Sequence, residues 1–154
     1  MHELATRGCT DVEVASAGTW ALEGSPATQP GVAALSERSI DLSRHRARQL
    51  LRAEVLDADL IVAMTAVHRS EVIELAPEVS HKVILMKEIA ELGPLDSVAG
   101  PAGLLAAERP PPRHDLDVDD PIGLPEIAYK QTLSDLEPGV RVLADVLCPG
   151  RPGS

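Results

Sequence analysis

Ala58-Asp59-Leu60-Ile61-Val62-Ala63-Met64-Thr65 lies near the middle of the 154-residue chain and decides how the rest is read. The run is short, mostly apolar and closed by a hydroxyl residue. A strand buried on both faces of a parallel sheet has this pattern, because helices cover it above and below. Thr65 can cap a following helix that runs to about Leu75, with Pro77 as its stop. Lys82-Val83-Ile84-Leu85, within His81 to Met86, repeats the strand pattern. Upstream, Asp11 to Ala17 alternates polar and apolar side chains and predicts another strand. Strands alternating with helices imply an α/β fold with a parallel sheet.

Outside this frame the chain supplies helices and loops. Gly18, Gly24, Pro26 and Pro30 mark a loop. A short helix is expected from Val32 to before Ile40, and a further helical stretch over Ala47-Arg48-Gln49-Leu50-Leu51. Gly93 to Arg113, rich in Gly, Pro and Ala, reads as a long surface loop. From Pro125 to Leu147 apolar residues recur at Ile127, Leu133, Leu136, Val140, Leu143 and Val146. This spacing predicts an amphipathic helix, with a break near Pro138-Gly139. Glu3 to Gly8 reads as a last helical turn closed by glycine. One domain over 1–147 and a disordered tail over 148–154 are expected.

Composition narrows the function. Lys and Arg number 14 against 24 Asp and Glu, a net charge of −10, and the only aromatics are Trp20 and Tyr129. Such a surface repels phosphate backbones and lacks stacking platforms, which argues against nucleic-acid binding. No run of 18 apolar residues suggests a membrane span. The first residues carry neither a basic nor an apolar signal region, and Cys9 and Cys148 make no disulfide framework, so a cytoplasmic location is expected.

Four segments occur in a telling order: Ser16-Ala17-Gly18-Thr19-Trp20, His45-Arg46-Ala47-Arg48-Gln49-Leu50, Ala58 to Thr65, and Asp119-Asp120-Pro121-Ile122-Gly123. Together, from about Leu4 to Val146, they resemble the low-molecular-weight protein-tyrosine-phosphatase family in its bacterial form. The resemblance implies a three-layer α/β/α fold. It also implies phosphomonoester hydrolysis through a cysteinyl-phosphate, on a phosphotyrosine protein or a small phosphomonoester, without a cofactor. In the family a Cys-x5-Arg loop follows the first strand. The thiolate is stabilised by backbone N–H groups at a helix N-terminus, and the arginine grips the phosphoryl oxygens.

Here the pattern departs. Six residues after Cys9 stands Ala15, and six after Cys148 stands Ser154; neither is arginine. The first strand, the phosphate loop and most of the first helix are missing, about 20–30 residues by ordinary element lengths. Met1 therefore reads as a start inside a helix, with the missing segment expected upstream.

By the resemblance, Asp120 matches the general acid that protonates the leaving oxygen. Ser16 and His45 match residues that hold the phosphate loop rigid, and Trp20 lies where the pocket wall begins. Asp115, Asp117 and Asp119 mimic a calcium-loop spacing, but Asp120 replaces the required glycine and Pro121 follows, so no metal site is expected. His2, His68, His81 and His114 lack metal-ligand spacing. The chain as it stands is expected to be inactive, and removing a central strand to leave exposed edges that favour self-association. The alternatives are a non-catalytic binding or regulatory relative and, ranked lower, an arsenate reductase, which needs the same nucleophile.

Overall fold

The computed structural model describes residues 4, 9–92 and 100–148. In chain order the helices are α1 (Gln29–Ser36), α2 (Arg52–Asp57), α3 (Ala66–Leu75), α4 (Met86–Leu92), α5 (Gly100–Ala106) and α6 (Glu126–Leu147). The strands are β1 (Ile61–Ala63) and β2 (Val83–Leu85). They pair in parallel, with Ile61 opposite Val83, Val62 opposite Ile84 and Ala63 opposite Leu85.

The period-two alternation of these strands builds the core. Ile61, Ala63, Val83 and Leu85 face a cluster with Val55, Val72, Ala76, Val79 and Leu116. Leu60, Val62 and Ile84 face the other way, against Ile89, Leu104, Val142 and Val146. Helices α2 and α3 thus cover one face, and α4, α5 and α6 the other, which is the three-layer α/β/α arrangement. Thr65 caps α3, its hydroxyl accepting from the His68 N–H at 3.1 Å. No helix among the described residues is long and apolar enough to cross a membrane.

The structure departs from the expected elements in physically specific ways. Asp11 to Ala17 forms no strand, and no backbone hydrogen bond joins it to β1 among the described residues. Alternation gives a strand its faces but not its neighbour, and a strand needs both. Among the described residues β1 pairs with β2 alone, so its other edge meets no strand. Ile61 and Val62 are only half-buried, whereas all of β2 is buried. Ala47 to Leu51 is extended rather than helical: Gly18 bridges Gln49 in parallel, and Pro26 bridges Arg46 in antiparallel fashion. The helix starts after Leu51, whose N–H donates to Glu54 Oε2 at 3.1 Å.

Two further segments differ from expectation. The proposed loop from Gly93 contains α5, with Pro101 in the first turn, where its missing N–H costs nothing. Helix α6 runs unbroken through Pro138, because Gly139 lets it lie directly on Met86 at the start of α4. A Cβ at Gly139 would sit 2.7 Å from the Met86 carbonyl oxygen. The expected helix end over Glu3 to Gly8, apart from Leu4, and the tail after Cys148 lie outside the described residues.

One buried ion pair crosses the first layer. Glu88, 2% exposed, accepts from Arg69 Nη1 at 2.8 Å and from the Leu85 N–H at 2.9 Å. It fastens the end of β2 to α3 and closes the first turn of α4. Glu88→Ala strands the guanidinium and an amide, and should cost about 3 kcal/mol in denaturant unfolding. Gly139→Ala gains about 1 kcal/mol of helix propensity but forces α4 and α6 apart. A net loss of about 1–2 kcal/mol is expected, seen as a lower thermal midpoint; a raised midpoint would show that the two helices part freely.

Candidate functional site

The loop carrying Asp120 is anchored at the carboxyl end of β1, where ligands bind in open α/β sheets. The Val118 N–H donates to the Met64 carbonyl at 2.9 Å. Asp117 Oδ1 accepts from the Ala66 N–H at 2.7 Å, at the start of α3. This use of Asp117 is favourable because the first amides of a helix are unsatisfied and carry partial positive charge. Asp120 itself is exposed, and its Oδ1 accepts from the Ile122 N–H at 3.0 Å. The turn that follows is closed by the Leu124 N–H to the Pro121 carbonyl.

Beside this loop opens a cavity of about 310 Å³ lined by His45, Pro121, Thr28, Tyr129, Leu42 and Leu133 among others. It lies between the 42–47 segment, α1 and the first turns of α6. Thr28 Oγ1 donates to the Tyr129 hydroxyl at 2.9 Å, and Gly31 packs against the same ring. Ion pairs of Arg38 with Glu137 and of Lys130 with Glu37 hold α1 on α6. The wall is mostly apolar, with hydroxyls and one imidazole at its edge.

Of the four residues singled out from sequence, only His45 lines the cavity; Pro121 lines it too, but Asp120 next to it does not. Ser16 and Trp20 are not part of its lining. Ser16 is exposed on the unpaired 11–17 segment. Trp20 is 86% exposed, and its Nε1–H donates to Glu71 Oε1 on α3 at 2.6 Å. Gln49 steadies the same loop, accepting from the Ala21 N–H and donating to the Thr19 carbonyl. Thr28, Tyr129, Asp117 and Glu71 were not legible in the sequence. Only the hydroxyls of Thr28 and Tyr129 offered a hint, being polar groups next to apolar helix positions.

The acidic run does not gather around a cation. Asp115 pairs with Arg113 at 2.8 Å, Asp117 caps α3, and among the described residues no group of three metal-ligating side chains converges. The cysteines correct the sequence reading outright. Cys9 and Cys148 are joined in a disulfide with Cα atoms 6.2 Å apart, far from the cavity lining. Cys148, expected to open the tail, is buried against Leu4 and Ala144.

Glu71 links electrostatics to Trp20. The Thr19 hydroxyl beside it and the Trp20 N–H hold its carboxyl below the ordinary glutamate value of 4.5. A lowered folded value means that the anchor is complete above that ordinary value and is lost as pH falls through the folded one. Trp20 is the only tryptophan, so its emission reports the anchor directly. Emission should be constant from neutral pH to about 4.5 and change below it, and Glu71→Gln should remove that step.

Comparison with known proteins agrees with this geometry. The family model of low molecular weight phosphotyrosine protein phosphatases matches residues 1–96. A protein-arginine-phosphatase of Bacillus subtilis (strain 168) is 33% identical over 144 residues, covering 94% of this chain and 81% of the relative. The protein-arginine-phosphatase of Geobacillus stearothermophilus is 31% identical over 136 residues, with 88% and 77% covered. Among solved structures, the low molecular weight protein tyrosine phosphatase from T. tengcongensis superimposes with a TM-score of 0.66 at 32% identity, covering 88% of this chain and 78% of that one. The chain belongs to the low-molecular-weight phosphotyrosine protein phosphatase family.

Proposed function

We propose that these 154 residues form the acid-bearing scaffold of a phosphoprotein phosphatase, and that turnover requires a Cys-x5-Arg segment beyond them. The observation that carries this reading is the state of the two thiols. Neither has arginine six residues on, and they are bound to each other rather than directed at the cavity. A cysteinyl-phosphate cannot form without a free thiolate and donors around the phosphoryl oxygens. The free edge of β1 supports the same view, since a strand leading into such a loop would pair there.

In the completed enzyme Asp120 would protonate the leaving oxygen and then activate water. His45, at the cavity, and Ser16 would brace the phosphate loop, and Trp20 would flank the substrate. The substrate class is a phosphoprotein carrying phosphotyrosine or, by likeness to the arginine phosphatases, phosphoarginine; a small phosphomonoester would also serve. The domain spans 1–147, works without a cofactor, and self-associates through the strand edge of β1 while that edge is unfilled.

The test uses para-nitrophenyl phosphate. The 154-residue protein should show no turnover above buffer. Extending it with in-frame upstream sequence that encodes a strand and Cys-x5-Arg should restore turnover, and Asp120→Asn should then lower it by about 10²–10⁴-fold. Turnover by the 154 residues alone, abolished by Asp120→Asn, would overturn the proposal. A stop codon directly upstream would favour a non-catalytic relative of the same fold.

A further inference from the structure

Thr10 to Ala17 is suspended between two anchors. At one end Cys9 is bonded to Cys148 at the close of α6, across 139 residues of sequence. At the other end Gly18 exchanges backbone bonds with the 48–50 segment, its N–H donating to the Arg48 carbonyl and its carbonyl accepting from the Leu50 N–H, both at 2.9 Å. Between these points no backbone hydrogen bond is made among the described residues. Among the described residues the one side-chain bond there is Thr10 to its neighbour Asp11. Val12 alone packs on the small cluster of Leu4, Ala144 and Cys148; the residues from Glu13 to Ala17 are exposed.

A segment with so few non-covalent contacts opens at low cost once a covalent anchor is cut. We propose that the Cys9–Cys148 pair is a redox-controlled clasp, which decides whether Thr10 to Ala17 stays on the body of the protein. In the reduced state each cysteine carries a thiol. A low-molecular-weight disulfide is attacked by the Cys9 thiolate, giving a mixed disulfide and releasing one small thiol. The Cys148 thiolate then displaces the second small thiol and closes the protein bond. Two electrons and two protons pass from the cysteines to the small disulfide, and a dithiol reverses the reaction. Entry is at Cys9, which is half-buried, whereas Cys148 is only 5% exposed. The clasp stands on the pair's geometry alone. Its consequence for catalysis, through Ser16 on the same segment, rests on the proposed function.

The experiment uses the full 154-residue protein. After equilibration with a low-molecular-weight disulfide, alkylation in denaturant should find no free thiol, and after a dithiol it should find two. Cleavage after Glu13 by a glutamate-specific protease should then be at least about tenfold faster in the reduced protein, because a protease needs the segment lifted off the body, while amide exchange over Val83 to Leu92 stays unchanged. The Cys9→Ser/Cys148→Ser protein should show the reduced pattern whether or not the dithiol is present; should it fail to fold, the wild-type comparison decides alone. Two free thiols after oxidation, an unchanged rate of cleavage after Glu13, or reduction that opens the whole core would each overturn the clasp. Loss of the clasp leaves the phosphatase proposal standing, because that is read from turnover of the extended chain.

Discussion

Three residues of parallel pairing hold the two faces of this fold in register. Ile61–Ala63 against Val83–Leu85 sets which side chains meet α2 and α3 and which meet α4, α5 and α6. A slip of one residue would turn every one of them to the wrong layer. The pairing is sound on the β2 side, where Val83, Ile84 and Leu85 are buried and Glu88 ties the strand end to Arg69. On the β1 side it stops. Ile61 and Val62 are only half-buried there, and among the described residues no strand pairs with the outer edge of β1.

What could be read from the sequence follows from how local each signal is. The α3 boundaries were legible because the Thr65 cap and the Pro77 stop act within a turn of themselves. β2 was legible because an apolar run so short has few other uses, and α6 because its apolar spacing persists over 22 residues. Asp11 to Ala17 misled because alternation describes a strand's two faces and says nothing of its edge partners. Ala47 to Leu51 misled because its hydrogen bonds go to Gly18 and to the 19–23 loop, which no local pattern announces. At Pro138-Gly139 the two helix breakers suggested an end, but the close approach of Met86 makes the glycine a packing requirement.

The candidate site divides in the same way. Asp120, Ser16, Trp20 and His45 were found because motif spacing is preserved along the chain. The contacts that position the Asp120 loop were not, since Asp117 to Ala66 and Val118 to Met64 join residues about 50 positions apart. Thr28 to Tyr129 spans 101 residues, Trp20 to Glu71 spans 51, and Cys9 to Cys148 spans 139. Each is a pair of ordinary residues until the fold brings them together.

These anchors bear on how the Asp120 loop is positioned. The Asp120 loop takes its position from the end of β1, from the first amide of α3 and from its own turn, and none of these contacts involves a phosphate loop. Its geometry is therefore independent of whether the Cys-x5-Arg segment is in place. The opposite holds for Ser16, whose segment, among the described residues, is held at its ends and by Val12 packing on Leu4, Ala144 and Cys148. Under the proposed function, with Asp120 as acid and Ser16 as brace, a nucleophile-bearing strand inserted against β1 would meet a positioned acid on one side and a loosely held brace on the other. Order in the Ser16 segment would then come from that strand in the complete enzyme and from the disulfide in its absence. Under that proposal the covalent link would substitute, at one end of the segment, for the hydrogen bonds that a neighbouring strand would supply along its length.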